Sequence, residues 1–224
     1  MNKLRNLVLI ILISSSSLIF GQTNKFEVGL EMGPSLKSLY GNDALANDVS
    51  IGFLGGLTFQ YNFSKLVSIR TNISFERKGL TTKSIAIDVN GNVIGEIKFH
   101  SNFDYLSVPL LCRFTIGKEI NFFANAGPYL SYLIKQQDKS NAIGEYPETK
   151  IDNTHNFKRL DFGLTYGLGM IFPIREKLLL SAEIRNNIGL SNISSLPLVN
   201  DGSIKTNSII ILIGIAYRIG NKNE

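Results

Sequence analysis

The sequence predicts an all-β fold, an eight-stranded antiparallel transmembrane β-barrel that follows an N-terminal signal peptide. Three observations predict this fold class. Apolar residues recur at every second position in eight segments, the connections between segments differ sharply in length, and the first residues have the composition of an export signal. A period of two indicates strands, because successive side chains of a strand point to opposite faces.

The N-terminal segment, MNKLRNLVLIILISSSSLIFGQ, is typical of a secretory signal peptide. Basic residues precede a short apolar core at 7–13, and small residues lead to an expected cleavage site after Gly21. The apolar core is too short to span a bilayer. We therefore expect residues 1–21 to be removed and residues 22–224 to form one outer-membrane β-barrel domain.

The stretch LDFGLTYGLGM, residues 160–170, illustrates the strand pattern. Its large apolar side chains alternate with Asp161, Thr165 and three glycines, so one face suits lipid and the other a crowded interior. Most segments reach nine or more residues, whereas ordinary strands average about five or six and membrane-crossing strands need about nine to eleven. Their length favours a membrane barrel over the rival fold, a soluble lipocalin-like barrel. The segments are 26–33, 51–63, 67–76, 105–116, 121–132, 159–174, 178–189 and 208–219.

The connections between the segments are of two kinds. Three are short, NFSK, GKE and PIREK, and the others are long. Short turns at one end and long loops at the other are typical of outer-membrane barrels, whose turns are periplasmic and whose loops lie outside the cell. Asn90-Gly91 predicts a hairpin, and we expect the third and fourth strands to continue above the membrane there. The long connections are 34–50, 77–102, 135–158 and 191–204.

Nine charged residues fall on the predicted inner face of the barrel. Five acids and four bases nearly balance, and a mixed set favours ion pairs that plug the interior, because isolated charges in a narrow interior are unfavourable. We expect the inward-facing Gly163, Gly167 and Gly169 to leave room for long Glu and Arg side chains. The predicted network consists of Glu27, Glu31, Arg70, Glu76, Arg113, Asp161, Glu183, Arg185 and Arg218.

Four stretches, FDYLSVPLLCRF, FFANAGPYLSYLI, LDFGLTYGLGM and LIGIAYRIG, resemble the PorT-like outer-membrane β-barrel family of Bacteroidetes. The resemblance covers nearly the whole mature chain and implies an outer-membrane barrel inserted by the barrel-assembly machinery. It also implies a secretion or cell-envelope protein as partner, because some members of the wider family assist type IX protein secretion. The family supplies no catalytic residues. The chain departs from many barrels by ending in NKNE rather than at an aromatic residue.

No motif in the sequence names a reaction, so we expect no catalytic residue, no cofactor and no metal site. The single cysteine, Cys112, cannot form an internal disulfide, and no Cys/His set has zinc spacing. The two histidines, His100 and His155, lie in predicted long loops. A catalytic base and nucleophile need an orienting acid, and nothing in the spacing selects Asp104 or Asp152 for that role. The basic residues are scattered and the net charge is only +5, which argues against nucleic-acid binding.

Three function classes are compatible with such a barrel. The favoured one is a non-enzymatic barrel whose outer face contacts outer-membrane lipid and whose loops bind a cell-envelope or secretion partner. The second is a narrow passive channel, which paired lumen charges disfavour. The third is a lipid-modifying outer-membrane enzyme with a His/Ser pair, which the shortage of histidines disfavours.

Overall fold

The computed structural model describes residues 25–42, 49–87, 90–142, 147–198 and 202–220, so the predicted signal peptide lies outside the described residues. Nine strands and one turn of 3-10 helix follow one another in this part of the chain. None of the described helices is long and apolar enough to cross a membrane. The strands are β1 (Phe26–Tyr40), β2 (Ser50–Asn62), β3 (Val67–Ile87), β4 (Val93–Gly117), β5 (Asn121–Ser140), β6 (Thr149–Asp152), β7 (Leu160–Pro173), β8 (Leu178–Gly189) and β9 (Lys205–Ile219), and the helical turn is Thr154–Asn156.

Eight of these strands form a closed antiparallel ring. The order around the ring is β4, β3, β2, β1, β9, β8, β7 and β5, and pairing of β4 with β5 closes it. The short β6 pairs with the outer end of β5 and adds a local hairpin. Because lipid offers no hydrogen-bond partner to a free strand edge, closure allows this sheet to cross a membrane. The predicted eight-stranded barrel is confirmed.

Side chains alternate between the two faces of the barrel wall as predicted. On β7, Leu164 is 47% exposed, whereas Asp161 and Thr165 are 0% and 2% exposed. On β9, Ile213 is 62% exposed and Ile210 is fully buried. A belt of exposed Leu, Ile, Phe and Tyr side chains therefore surrounds the barrel, and this belt is the surface that faces lipid.

The strands extend further towards the long connections than the sequence predicted. The expected loops 34–50 and 135–158 are partly strand, because β1 and β5 continue beyond the predicted boundaries. Most of 77–102 is strand as well, as the continuation of the third and fourth strands to the Asn90-Gly91 hairpin predicts. Outside the lipid belt, both faces of a strand can be polar. The apolar alternation therefore fades before the strand ends, and boundaries drawn from it fall short.

The hairpin predicted from Asn90-Gly91 joins β3 and β4. The two strands pair as far as Ile87 and Val93, with a register shift between Ala86 and Ile87. Gly91 has a positive φ of 86° in the turn between them. Both strands continue well beyond the lipid belt, as expected. The hairpin therefore projects from the end of the barrel that carries the long connections.

An apolar cluster, here called the upper cluster, occupies the barrel interior at this outer end. Ile193 belongs to it, and its backbone N–H donates to the carbonyl of Ile204 at 2.9 Å. Nearby, Phe157 pairs with Ser194 through a backbone bridge. The connection after β8 therefore folds into the barrel mouth. The upper cluster consists of Leu39, Leu80, Phe103, Tyr105, Leu133 and Ile193, with Phe157 and Ile204 packed against it.

Candidate functional site: the charge network inside the barrel

Arg185, on β8, lies between two carboxylates at the centre of the barrel interior. Its Nη1 is 2.7 Å from Glu31 Oε1, and its Nε is 2.7 Å from Glu183 Oε1. Arg70 Nη2 donates to the other oxygen of Glu31 at 2.8 Å. All four side chains are buried. These contacts connect β1, β3 and β8 across the interior. The central ion pairs therefore link three strands that are distant in sequence.

Arg113, on β4, lies between this centre and the short turns. Its Nη2 is 3.5 Å from Glu183 Oε2, and its Nε donates to Asn125 Oδ1 at 2.7 Å. The guanidinium carbon lies 3.7 Å from the centroid of the Phe123 ring, which is a cation–π arrangement. Phe123 belongs to a small apolar cluster at this end of the barrel. Arg113 therefore joins the charged centre to an apolar layer beneath it.

Glu27 and Arg218 form the pair nearest the periplasmic end. Arg218 Nε donates to Glu27 Oε1 at 3.1 Å, and Gln60 Nε2 donates to Glu27 Oε2 at 3.2 Å. Both members of the pair line a recess of about 510 Å³ that includes residues of the short turns. The Arg218 side chain is 29% exposed. This pair is consequently the most solvent-exposed of the network.

Glu76 and Asp161 lie nearer the outer end, and both are fully buried. Glu76 accepts from the hydroxyl of Ser208 and, at 3.1 Å, from Asn187 Nδ2. Asp161 Oδ2 accepts from the hydroxyl of Thr206 at 2.8 Å. Hydrogen bonds of this kind give the buried carboxylate oxygens the partners without which their burial would be unfavourable.

Lys78 is the cation of this region, and it is not among the residues that the sequence predicts for the network. Its Nζ lies 3.2 Å from Asp161 Oδ2 and 3.9 Å from Glu76 Oε2, and the residue is 0% exposed. It also lies over the Tyr129 ring, 4.4 Å from the centroid. The apolar alternation predicts that the third strand ends at Glu76, so Lys78 falls in an expected loop. Extending the alternation by one more inward position would have found it.

The structure brings all nine predicted network residues to the inner face of the wall, in three connected groups. With Lys78 included, the network contains five cationic side chains and five carboxylates. Every one of these ten residues takes part in at least one ion pair with an oppositely charged member. Such balance lowers the cost of burying charge, because each carboxylate faces a cation that also donates hydrogen bonds.

Three inward-facing glycines of β7 make room for neighbouring side chains. A Cβ added at Gly167 would lie 2.7 Å from Glu183 Oε1, as expected for a glycine that accommodates a network residue. At Gly163 and Gly169, the added atom would instead meet the rings of Tyr129 and Phe123, at 2.5 Å and 2.3 Å. Two of the three glycines therefore accommodate aromatic rings rather than Glu or Arg.

The two histidines considered for catalysis lie apart from the charge network. His100 Nδ1 is 2.9 Å from Thr81 Oγ1, which in turn donates to Ser50 at 2.8 Å. The neighbouring Ser101 donates instead to Asp138 at 2.6 Å. His155 is exposed in the helical turn.

The acids considered as orienting groups have other partners. Arg77 forms a bidentate pair with Asp104 at 2.6 and 2.8 Å. The hydroxyl of Thr154 donates to Asp152 and lowers the pKa of that carboxyl. Cys112 lies on the exposed face of β4. Within the described ranges, no group of three or more His, Cys, Asp or Glu residues could hold a metal ion.

Comparison with known proteins agrees with this architecture. Residues 20–195 match the family described as the outer membrane protein beta-barrel domain. Neisserial surface protein A is similar in structure, with a TM-score of 0.51 and 12% identity, over 89% of this chain and 100% of that protein. The Escherichia coli outer membrane protein W matches with a TM-score of 0.45 and 11% identity, over 89% of this chain and 100% of that one. OprG from Pseudomonas aeruginosa matches with a TM-score of 0.43 and 14% identity, over 90% and 99%. No curated protein matches the chain by sequence.

Proposed function

Because the chain belongs to the family of outer membrane protein beta-barrel domains, we propose that it is a non-enzymatic, non-conducting barrel that presents its outer strands to a cell-envelope or secretion protein. Family membership places the barrel in the outer membrane, where outer-membrane lipid surrounds its apolar belt. The barrel-assembly machinery would act on it during insertion. The observation that carries the proposal is the balanced set of buried ion pairs across the lumen.

Three layers of side chains inside the lumen favour a plugged barrel over a channel. The upper cluster occupies the outer mouth, the charge network fills the centre, and the Phe123 cluster lies beneath Arg113. A permeating ion would have to displace paired side chains that are buried on all sides. Breaking buried pairs is strongly unfavourable, so we expect the resting barrel not to conduct.

The outer part of β3 supports the partner-binding half of the proposal. Pairing of β2 with β3 ends at Leu54 and Glu76, although β3 continues to Ile87. Among the described residues, no strand pairs with β3 on that side beyond Glu76. An unpaired strand edge can accept an extended segment of another protein. Near the tip, Ile85 and Ile87 are 69% and 64% exposed and offer apolar contacts to such a segment.

The class of partner rests on the resemblance to PorT-like barrels. That resemblance supports a secretion or cell-envelope protein, and we propose the PorT-like group as the closer relationship within the family. Loop-borne recognition on a rigid barrel is a common arrangement, because loops tolerate sequence change that the barrel faces do not.

The test shortens each outer element without changing strand register. Lys83 lies directly opposite Lys98, so residues 84–97 can be replaced by Asn-Gly, which forms a two-residue hairpin turn. Ser140 lies opposite Thr149, so residues 141–148 can be replaced in the same way. Lys118→Gln, in a short periplasmic turn, serves as the matched control.

Each variant is expressed in the native host, cross-linked in intact cells and compared with the unaltered chain for co-purified proteins. The proposal expects both shortened variants to fold, as judged by their unheated gel mobility. It also expects at least one of them to lose a specific cross-linked protein. The Lys118→Gln control should retain that protein. Retention of the same cross-linked proteins by both shortened variants would contradict it.

The enzyme alternative has its own observation, the contact of His100 with Thr81 in an open part of the wall. Purified barrel in vesicles is assayed for hydrolysis or acyl transfer on the vesicle lipids. Our proposal expects no turnover from the unaltered chain. Turnover that His100→Ala abolishes, and His155→Ala does not, would establish the enzyme instead.

A further inference from the structure

A cleft of about 830 Å³ opens in the outer part of the wall, where β2 and β3 separate. We call it the side cleft. Its lining is strongly basic and includes Lys37, Arg77, Lys83, His100 and Lys139, which come from β1, β3, β4 and β5. The ten-residue charge network includes none of these cations, and of the five only Arg77 and Lys83 lie on the β3 edge proposed for partner binding.

Lys37 is the buried cation of the side cleft. It is 1% exposed, and its Nζ donates to Asn102 Oδ1 at 2.7 Å. In the part of the chain that the structure describes, no Asp or Glu side chain forms an ion pair with it. Every network cation, in contrast, has a carboxylate partner. A buried ammonium with spare donors and no carboxylate is unfavourable, and an anion in the space beside it would lower that cost.

The neighbouring groups leave the cleft with a positive excess. Asp104, on the same part of the wall, is held by Arg77 at 2.6 Å. Lys139 lies directly opposite His100 across the β4–β5 pairing, and Lys83 is exposed on β3. Clustered cations from several strands can contact several oxygens of one phosphate group, which accepts strong charge-assisted hydrogen bonds.

The rim of the cleft joins it to the lipid surface. Ile51 and Val49 line the cleft and are 76% and 63% exposed. Ile51 lies on the face of β2 that also carries the lipid-facing Phe53 and Leu57. A ligand in this position would have polar contacts on one side and apolar contacts along the barrel wall on the other.

We propose that the side cleft binds the phosphate-bearing headgroup of an outer-leaflet lipid, with Lys37, Lys83 and Lys139 contacting the phosphate and the acyl chains lying against Ile51. The apolar rim favours a lipid over a soluble phosphate as the source of the anion. None of residues 84–97 lines the cleft, so the partner test removes none of its lining residues. Failure of one proposal is therefore distinguishable from failure of the other.

The experiment uses the full barrel, purified in detergent and freed of lipid. Native mass spectrometry measures binding of bis-phosphorylated lipid A, of the same lipid after enzymatic removal of its phosphates, and of inorganic phosphate. The main variant is the double substitution Lys83→Gln, Lys139→Gln, which changes two side chains that are not fully buried. Lys37→Met probes the buried cation directly. The matched control, Lys135→Gln with Lys150→Gln, removes the same charge from exposed positions outside the cleft.

The proposal expects the phosphorylated lipid to bind at least about tenfold more tightly than the dephosphorylated one, as expected when a charge-assisted hydrogen bond is lost. It expects a loss of similar size in the double variant and none in the control. Equal binding of the two lipids, or equal loss in the control, would overturn it. Inorganic phosphate binding as tightly as the lipid would also overturn it, because the site would then be one for soluble anions. Should Lys37→Met fail to fold, the double variant alone decides.

Discussion

Replacement of Arg185 by Met tests the charge network at its best-connected residue. The guanidinium contacts Glu31 at 2.7 and 3.0 Å and Glu183 at 2.7 and 3.0 Å. Once it is removed, Glu31 retains Arg70 at 2.8 Å, but Glu183 retains only the 3.5 Å contact with Arg113 among its ion pairs. Among the described residues, the buried carboxylate of Glu183 then has no cation closer than 3.5 Å. Breaking a buried pair in this way costs about 3–5 kcal/mol of unfolding free energy.

The assay is urea unfolding of the barrel in lipid vesicles, followed by fluorescence and by unheated gel mobility. Arg185→Met is expected to lower the unfolding free energy by about 3–5 kcal/mol. Adding Glu183→Gln restores the overall charge balance of the network, although Arg113 then keeps only its hydrogen bonds to Asn125 and Gln60. The double variant is expected to recover about 1–3 kcal/mol of that loss. Arg175→Met, in an exposed turn, is the control and should stay within about 0.5 kcal/mol. An Arg185→Met variant as stable as this control would refute the network as a source of stability.

Three further predictions concern the wall and the interior. Leu164→Arg places a charge on the lipid face and should cost about 2–4 kcal/mol, whereas Thr165→Arg should act through crowding of the lumen; equal unfolding curves for the two would contradict the register. Lys78→Met leaves Asp161 and Glu76 without their cation and should cost about 3–5 kcal/mol in the same assay, with exposed Lys65→Met as the unaffected control. Gly167→Ala puts a Cβ 2.7 Å from Glu183 Oε1, and the overpacking should cost about 1–3 kcal/mol; a neutral effect would mean that the carboxylate moves freely.

The barrel could be predicted because lipid and the interior impose opposite demands on alternate side chains. Where both demands act, as from Leu160 to Phe172 on β7, the alternation is sharp and register follows from it. The nine inward charges followed from the same register. Their pairing into three groups did not, because contacts such as Arg185 with Glu31 cross the interior between strands that only the closed ring brings together.

The outer half of the molecule was harder to predict. Lys37 and Lys78 lie just past the point where the apolar alternation fades, so the sequence predicts loops at both positions. The upper cluster includes Leu80, Phe103 and Ile193, which no short-range period connects. Its formation depends on the chain after β8 folding into the barrel mouth. The signal peptide lies outside the described residues, and its cleavage after Gly21 stays a prediction.

Conductance in a planar lipid bilayer tests the central claim most directly, because the claim is that paired side chains close the lumen. The purified, refolded barrel is added to one side of the bilayer, and current is recorded under both polarities of applied voltage, with a general porin as positive control. We predict no step increases in current after insertion has been verified by protease protection of the periplasmic turns. A stable, ion-selective current from the unaltered chain would contradict the account and establish the barrel as a channel.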